Sequence, residues 1–240
     1  GPIGLELAQA HRRLGARVTV IEGGRALGHE DRQLAALVLA RLRAEGVEIV
    51  EGEKVASVTG GPGAMTVATA TGRRVEGSHL LVAAGRRVAL EGLGLGAAGG
   101  EPGPRGVRVG PGLRSVSNRR VYAAGDAAGG LQFTHVASWH AGIVLRAALF
   151  GLPARARDGL IPRATYTDPE LAQVGLTEEE ARAVHGPRLQ VFRVPLAEND
   201  RARAGRQTEG MIKLMVAGGR PVGVGIAGPQ AGELVGVWAL

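Results

Sequence analysis

Helical and strand-like segments alternate through residues 3–50, and this alternation limits the fold more than any other feature of the chain. Ile3, Leu7, Ala10 and Leu14 recur at helical spacing, and Gly15 follows where a helix end favours a left-handed residue. Residues 17–21 form a short β-branched run, residues 31–45 have helical periodicity with Gly46 behind them, and residues 47–50 return to strand character. Strands joined by crossover helices build a parallel sheet with helices on its faces, so an α/β, Rossmann-like domain is expected from a first helix at residue 3.

Gly1-Pro2-Ile3-Gly4 precedes that first helix, where a dinucleotide fold places G-x-G-x-x-G. There the glycines let the backbone approach a pyrophosphate, and the helix N-terminus supplies amide donors and positive potential. Only G-x-x-G is present, and alone it reads equally well as an ordinary helix start. Glu22 adds weight, because it ends the next strand 18 positions after Gly4, where an acid hydrogen-bonds adenosine ribose hydroxyls. An acid there repels a 2′-phosphate and favours NAD over NADP, while Arg25 works the other way and keeps NADP open. The competing reading of Glu22 is a solvated strand end. Glu6 admits a ligand role or simple complementation of the helix dipole in the first turn.

Residues 54–75 break into short alternating segments at Gly60-Gly61-Pro62-Gly63 and Thr71-Gly72, an antiparallel meander. Residues 79–84 read as a buried strand that ends in Gly85 and Arg86, and ligands in such sheets sit beyond the carboxyl ends of strands. Residues 88–118 are rich in Gly and Pro, which puts a boundary near Arg87. Residues 121–124 are a second buried strand, closed by Gly125 and Asp126, a carboxylate able to accept hydrogen bonds from a polyhydroxyl chain such as ribitol. Gln132, Phe133, Thr134 and His135 then lead into a helix over residues 136–150, whose free first amides suit a flavin ring. Strands at 164–166, 189–194, 211–216 and 221–226, with helices near 177–184 and 230–240, make an α+β region in which the chain ends inside its last helix.

Composition removes several function classes. The formal charge is +7, and every basic residue except Lys54 and Lys213 is an arginine. These arginines are scattered and aromatics are only 3% of the chain, which argues against nucleic acid and for an acidic ligand such as a dinucleotide. There is no cysteine, so disulfides, thiolate metal sites and cysteine nucleophiles are excluded within these residues. No histidine pair has a metal-site context, and His135 and His140 read as packing or backbone-positioning residues. No serine sits in a G-x-S-x-G elbow. Without an 18-residue apolar run or a signal pattern, a cytoplasmic protein with no membrane association is expected.

Taken in order, Gly1-Pro-Ile-Gly-Leu-Glu6, Val82-Ala-Ala-Gly-Arg86, Val121-Tyr-Ala-Ala-Gly-Asp126 and Thr167-Asp-Pro-Glu-Leu-Ala-Gln-Val-Gly-Leu-Thr177 resemble the pyridine nucleotide-disulfide oxidoreductases, in particular their dihydrolipoamide dehydrogenase and mercuric reductase branch. The resemblance spans the chain. It implies a Rossmann-like NAD(P)-binding domain over residues 1–86 with its first strand missing, the C-terminal half of an FAD-binding domain over 87–158, and an α+β dimerisation domain over 159–240. It also implies FAD and NAD as cofactors, a homodimer, and hydride passing between nicotinamide and flavin and on to a disulfide or small-molecule acceptor. By the same likeness Gly1, Pro2, Ile3, Gly4, Leu5, Glu6, Glu22, Val55 and Gly85 contact the nicotinamide nucleotide, and Gly125, Asp126, Gln132, Phe133, Thr134 and His135 contact FAD. Two departures stand out: Gly85-Arg86-Arg87-Val88-Ala89 replaces the family's Gly-Arg-x-Pro-Asn, and the family's redox Cys-x4-Cys pair and catalytic His and Glu are expected outside these residues, so no catalytic residue is assigned. A non-catalytic nucleotide-binding and dimerisation module, and an NADH oxidase or quinone reductase of the same architecture, remain the alternatives.

Overall fold

The first helix begins one residue earlier than its periodicity suggests, because proline at the first helical position has its φ already set and no amide to lose. In the computed structural model, which describes residues 1–239, helix α1 spans Pro2–Arg13 and buries Leu5, Ala8 and Gln9. Strand β1 (Val18–Glu22) pairs in parallel with β2 (Val47–Glu51), in a register that sets Glu22 against Glu51. The crossover between them is helix α2 (Arg32–Ala44), whose N-cap Asp31 accepts the amides of Gln33 and Leu34. Leu34, Val38 and Leu42 recur every fourth residue and are fully buried. Strands β3 (Val55–Gly61), β4 (Ala64–Thr69) and β5 (Arg74–Gly77) form the expected antiparallel meander.

Residues 79–84 differ from expectation: they join no ladder, and Leu80, Leu81 and Val82 are exposed. A strand persists only where a neighbour exchanges N–H and C=O groups with it, and no described strand lies beside this apolar run.

The chain divides into two compact units, one made of residues 1–84 with 162–240 and the other of residues 85–161. In the second unit, β6 (Pro102–Gly103) and β7 (Gly106–Val107) form a minimal hairpin, Gly125–Ala128 is a 3-10 turn, and helix α3 spans Thr134–Phe150. Residues 121–124, expected as a strand, make only an isolated bridge between Tyr122 and Arg114. Only one short neighbour is available there, so the pairing does not propagate.

The rest of the first unit is a five-stranded antiparallel sheet in the order β10, β11, β12, β9, β8. Its strands are β8 (Arg163–Thr165), β9 (Glu170–Gly175), β10 (Leu189–Pro195), β11 (Met211–Ala217) and β12 (Arg220–Gly228). Helix α4 (Glu178–His185) begins with a reciprocal capping box between Thr177 and Glu180, α5 (Asp200–Ala204) is a single turn, and α6 (Ala231–Leu234) continues as 3-10 to Trp238. The helix expected over 230–240 is thus shorter and mixed in type, and its last residue lies outside the described residues. Strand β9 was not expected from the sequence. Leu171, Ala172, Gln173 and Val174 are all buried, so this inner strand shows no alternation.

Helix α2 lies on this sheet. Leu5, Leu34, Val38, Leu42, Leu171 and Ala227 share one apolar cluster, and a Cβ on Gly225 would fall 2.4 Å from Leu34 Cδ1, so glycine lets the strand approach the helix. At the helix start, the buried Lys213 Nζ donates to both Asp31 oxygens at 2.8 Å and to Glu178 Oε2 at 2.5 Å. Burial works to raise the Glu178 carboxyl, but Lys213, Arg182 and Arg193 outweigh it and hold it at about 2. Arg13, joined by Arg41, likewise holds Glu45 at about 2.

Replacing Lys213 with Met leaves Asp31 and Glu178 without their buried counter-ion, and should cost about 3–5 kcal/mol of stability in urea unfolding. The same measurement on Arg32→Ala, which breaks an exposed pair with Glu179, should show less than about 1 kcal/mol. Glu45 and Glu178 titrate near 4.5 when unfolded and about 2 when folded, so their contribution is complete above 4.5 and is lost as pH falls towards 2. The urea midpoint should therefore drop across that window, and less steeply in a Glu178→Gln variant.

Candidate functional site

Helix α1 turns directly into β1 and packs back along it, which brings the start of α1 to the end of β1. The Gly1 backbone nitrogen lies 3.1 Å from Glu22 Oε2, and the Gly24 N–H donates to Glu22 Oε1 at 3.1 Å. Burial works to raise the Glu22 carboxyl, but the Gly24 and Gly23 amides work to hold it below the usual carboxylate range. Gly1 caps α1 without any side-chain acceptor, which leaves the first amides of Pro2–Arg13 free of side-chain partners. Gly4 brings α1 close to the following segment: a Cβ there would lie 3.3 Å from Ala83 Cβ. Ile3 is exposed, whereas the Leu5 side chain belongs to the core and offers only its backbone.

The turn before β3 reaches the same end of the sheet. Glu53 N–H donates to Glu22 O at 3.1 Å and Gly52 N–H to Gly24 O at 2.8 Å, which sets the exposed Val55 two residues from that contact. Glu6 departs from the dipole reading. Because α1 starts at Pro2, Glu6 is its fifth residue, beyond the first turn, and its Oε1 accepts the Tyr166 N–H at 2.8 Å.

The second unit carries its own cluster. Gly85, with φ of +117°, opens it, and the adjacent Arg86 pairs with the Asp126 carboxylate and donates to the Gln132 carbonyl at 3.1 Å. Gly125 has φ of +58°, and a Cβ there would fall 2.7 Å from Ala137 Cβ, so the turn lies directly against α3. Helix α3 begins at Thr134 instead of 136, with Phe133 as an extended N-cap and no side-chain cap. The Phe133 and His135 rings stack with centroids 5.3 Å apart. His140 Nδ1 accepts the Gly125 N–H at 3.0 Å, a backbone-positioning contact. Sequence reasoning missed the part played by Arg86. It stands 40 positions from Asp126, and its only local signal was the strand-end Gly85 beside it.

Each cluster thus combines a carboxylate with uncapped helix amides, the chemistry needed to hold a polyhydroxyl diphosphate, and in the second cluster a Cβ on Gly125 would also clash with α3. Residues 1–141 match a family model described as pyridine nucleotide-disulphide oxidoreductase, and residues 161–240 match the dimerisation domain of that family. The chain belongs to the pyridine nucleotide-disulphide oxidoreductase family. It is 35% identical to the dihydrolipoyl dehydrogenase of Bacillus subtilis, aligning 98% of this chain with 52% of that protein. With the mercuric reductase of Lysinibacillus sphaericus the identity is 33%, over 98% of this chain and 44% of the relative. Among solved structures, LpdA from Mycobacterium tuberculosis superposes with a TM-score of 0.91 at 29% identity, over all of this chain and 52% of that one. The HOCl-induced flavoprotein disulfide reductase RclA from Escherichia coli gives a TM-score of 0.88 at 29% identity, over all of this chain and 55% of RclA. The chain therefore spans about half the length of the curated relatives it matches.

Members of this oxidoreductase family use FAD together with NAD(P). No helix among the described residues is long and apolar enough to cross a membrane.

Replacing Gly125 with Ala should cost about 2 kcal/mol, from the left-handed backbone and the clash with Ala137 together. A lowered melting temperature of the 240-residue chain, set against Gly142→Ala in the open middle of α3, which should raise it, checks this.

Proposed function

We propose that this chain contributes the nicotinamide site, part of the flavin site and the dimer-forming domain of an FAD-dependent NAD(P)H oxidoreductase. The observation that carries the reading is the meeting of Glu22, at the end of β1, with Gly1 and the uncapped start of α1. In this reading residues 1–86 bind NAD(P), residues 87–158 supply half of the FAD domain and residues 159–240 form the interface of a homodimer. Gly1, Pro2, Ile3, Gly4 and Leu5 offer backbone to the pyrophosphate, Glu22 accepts from the adenosine ribose, and Glu6 and Val55 border the same nucleotide. Asp126 accepts from the ribitol chain of FAD. Gly125 and residues 132–135 line the flavin side, and Arg86 holds Asp126 and Gln132 in place.

The bound flavin and nicotinamide would supply hydride transfer, while the protein supplies orientation and electrostatics. The acceptor is a disulfide or a chemically similar group, as the names of the dihydrolipoyl dehydrogenase and mercuric reductase relatives suggest. These 240 residues hold no cysteine, so the thiols of a disulfide exchange come from elsewhere. The same absence supports a second reading, in which the 240 residues alone form a nucleotide-binding and dimerisation module without catalysis.

Titration of the 240-residue chain with NADH, followed by nicotinamide fluorescence, should give saturable binding that Glu22→Ala weakens about tenfold, or about 1.4 kcal/mol. Equal affinities for the two proteins would overturn the assignment of Glu22. The same sample should not reduce lipoamide with NADH, and turnover there would refute the location of the thiols. A yellow chromophore near one per chain favours the flavin reading over the apo module.

A further inference from the structure

His140 is buried in α3, with only 2% of its surface accessible, and its two ring nitrogens are treated unequally. Nδ1 accepts the Gly125 N–H at 3.0 Å, so it carries no proton and the ring is the neutral Nε2–H tautomer. Nε2 is fully buried and has no partner among the described residues. The residue whose amide it accepts is held at φ of +58° against Ala137 and is followed directly by Asp126. That carboxylate is tied on its other side by Arg86.

We propose that His140 is the positioning residue for Asp126, holding the Gly125 turn through a neutral ring that accepts at Nδ1. This rests on the reading of Asp126 as a ligand of the flavin ribitol. A proton on Nδ1 would set two donors against each other, break the Gly125 contact and free the turn that aims the carboxylate. Burial lowers the His140 pKa, and the Asp158 carboxylate works in the opposite direction. Arg86 and Asp126 are the other charged groups at the turn, and they are paired with each other. The Gly125 contact and the burial thus both favour the neutral ring over the charged one.

Nitrogen-15 NMR of the 240-residue chain at pH 5.5 tests the ring state. The expected spectrum has an unprotonated Nδ1 and a protonated Nε2, and a ring protonated on both nitrogens overturns the proposal. Amide exchange separates positioning from general packing. His140→Leu should speed exchange at Gly125 at least tenfold while Val136 and Ile143 of α3 keep wild-type rates, and His140→Asn, which restores an acceptor near Nδ1, should recover most of the protection. Unchanged exchange at Gly125 in His140→Leu refutes the role. Flavin fluorescence quenching supplies the functional arm: where the wild-type chain binds FAD, His140→Leu should weaken it about tenfold and His140→Asn much less. Equal FAD affinity in the wild type and His140→Leu overturns the proposal, whereas absence of binding by the wild type counts against the flavin reading and leaves the NMR and exchange results to decide His140.

Discussion

The buried ammonium of Lys213 is the interaction on which the first unit depends. An ammonium taken out of water is tolerated only when acceptors surround it, and Asp31 and Glu178 together supply three oxygens. Each partner has a second duty. Asp31 caps α2 and also accepts the Glu178 N–H at 3.3 Å, while Glu178 opens α4 and binds Arg182 and Arg193. One charge on β11 therefore fixes the starts of two helices as well as itself.

This arrangement reaches the Gly1 and Glu22 corner of the sheet through α2. The helix is the only connection between β1 and β2, and its buried stripe of Leu34, Val38 and Leu42 lies on a sheet built from the last third of the chain. Helix α1 is clasped to the same region: Gln9 donates to Asp168 O and accepts from Asp168 N, both at 2.8 Å, and Glu6 accepts from Tyr166 N. Local sequence makes the Gly1 and Glu22 corner, and residues more than 140 positions away hold it in place.

What the sequence revealed follows from how local each determinant is. The helical periods of α1 and α2, the glycine-broken meander and the strand-end position of Glu22 are set by neighbours in the chain, and the structure contains all of them. Strand β9 was hidden because burial on both faces removes alternation, with Gln173 interrupting an otherwise apolar run. Residues 79–84 carried a strand-like composition, yet a strand also needs an edge to pair with, which composition does not report. Lys213 gave no signal at all, since its partner Asp31 lies 182 positions away and an isolated lysine in a strand looks like a solvated one. The arginines misled in a milder way. Arg13, Arg41, Arg43, Arg73, Arg182 and Arg193 are paired with glutamates, so these six arginines serve the fold and say little about a ligand.

The two candidate clusters use the same physical arrangement. Glu22 is held by the Gly24 amide and Asp126 by Arg86, so each carboxylate is oriented before any ligand arrives. Orientation has a consequence for affinity. A carboxylate already engaged by a cation keeps acceptor capacity for a hydroxyl, because each oxygen offers more than one lone pair, yet its net charge at the site is reduced. Such a site accepts neutral ribose or ribitol hydroxyls with little ordering cost, and its residual repulsion of a second phosphate depends on how completely the cation neutralises it.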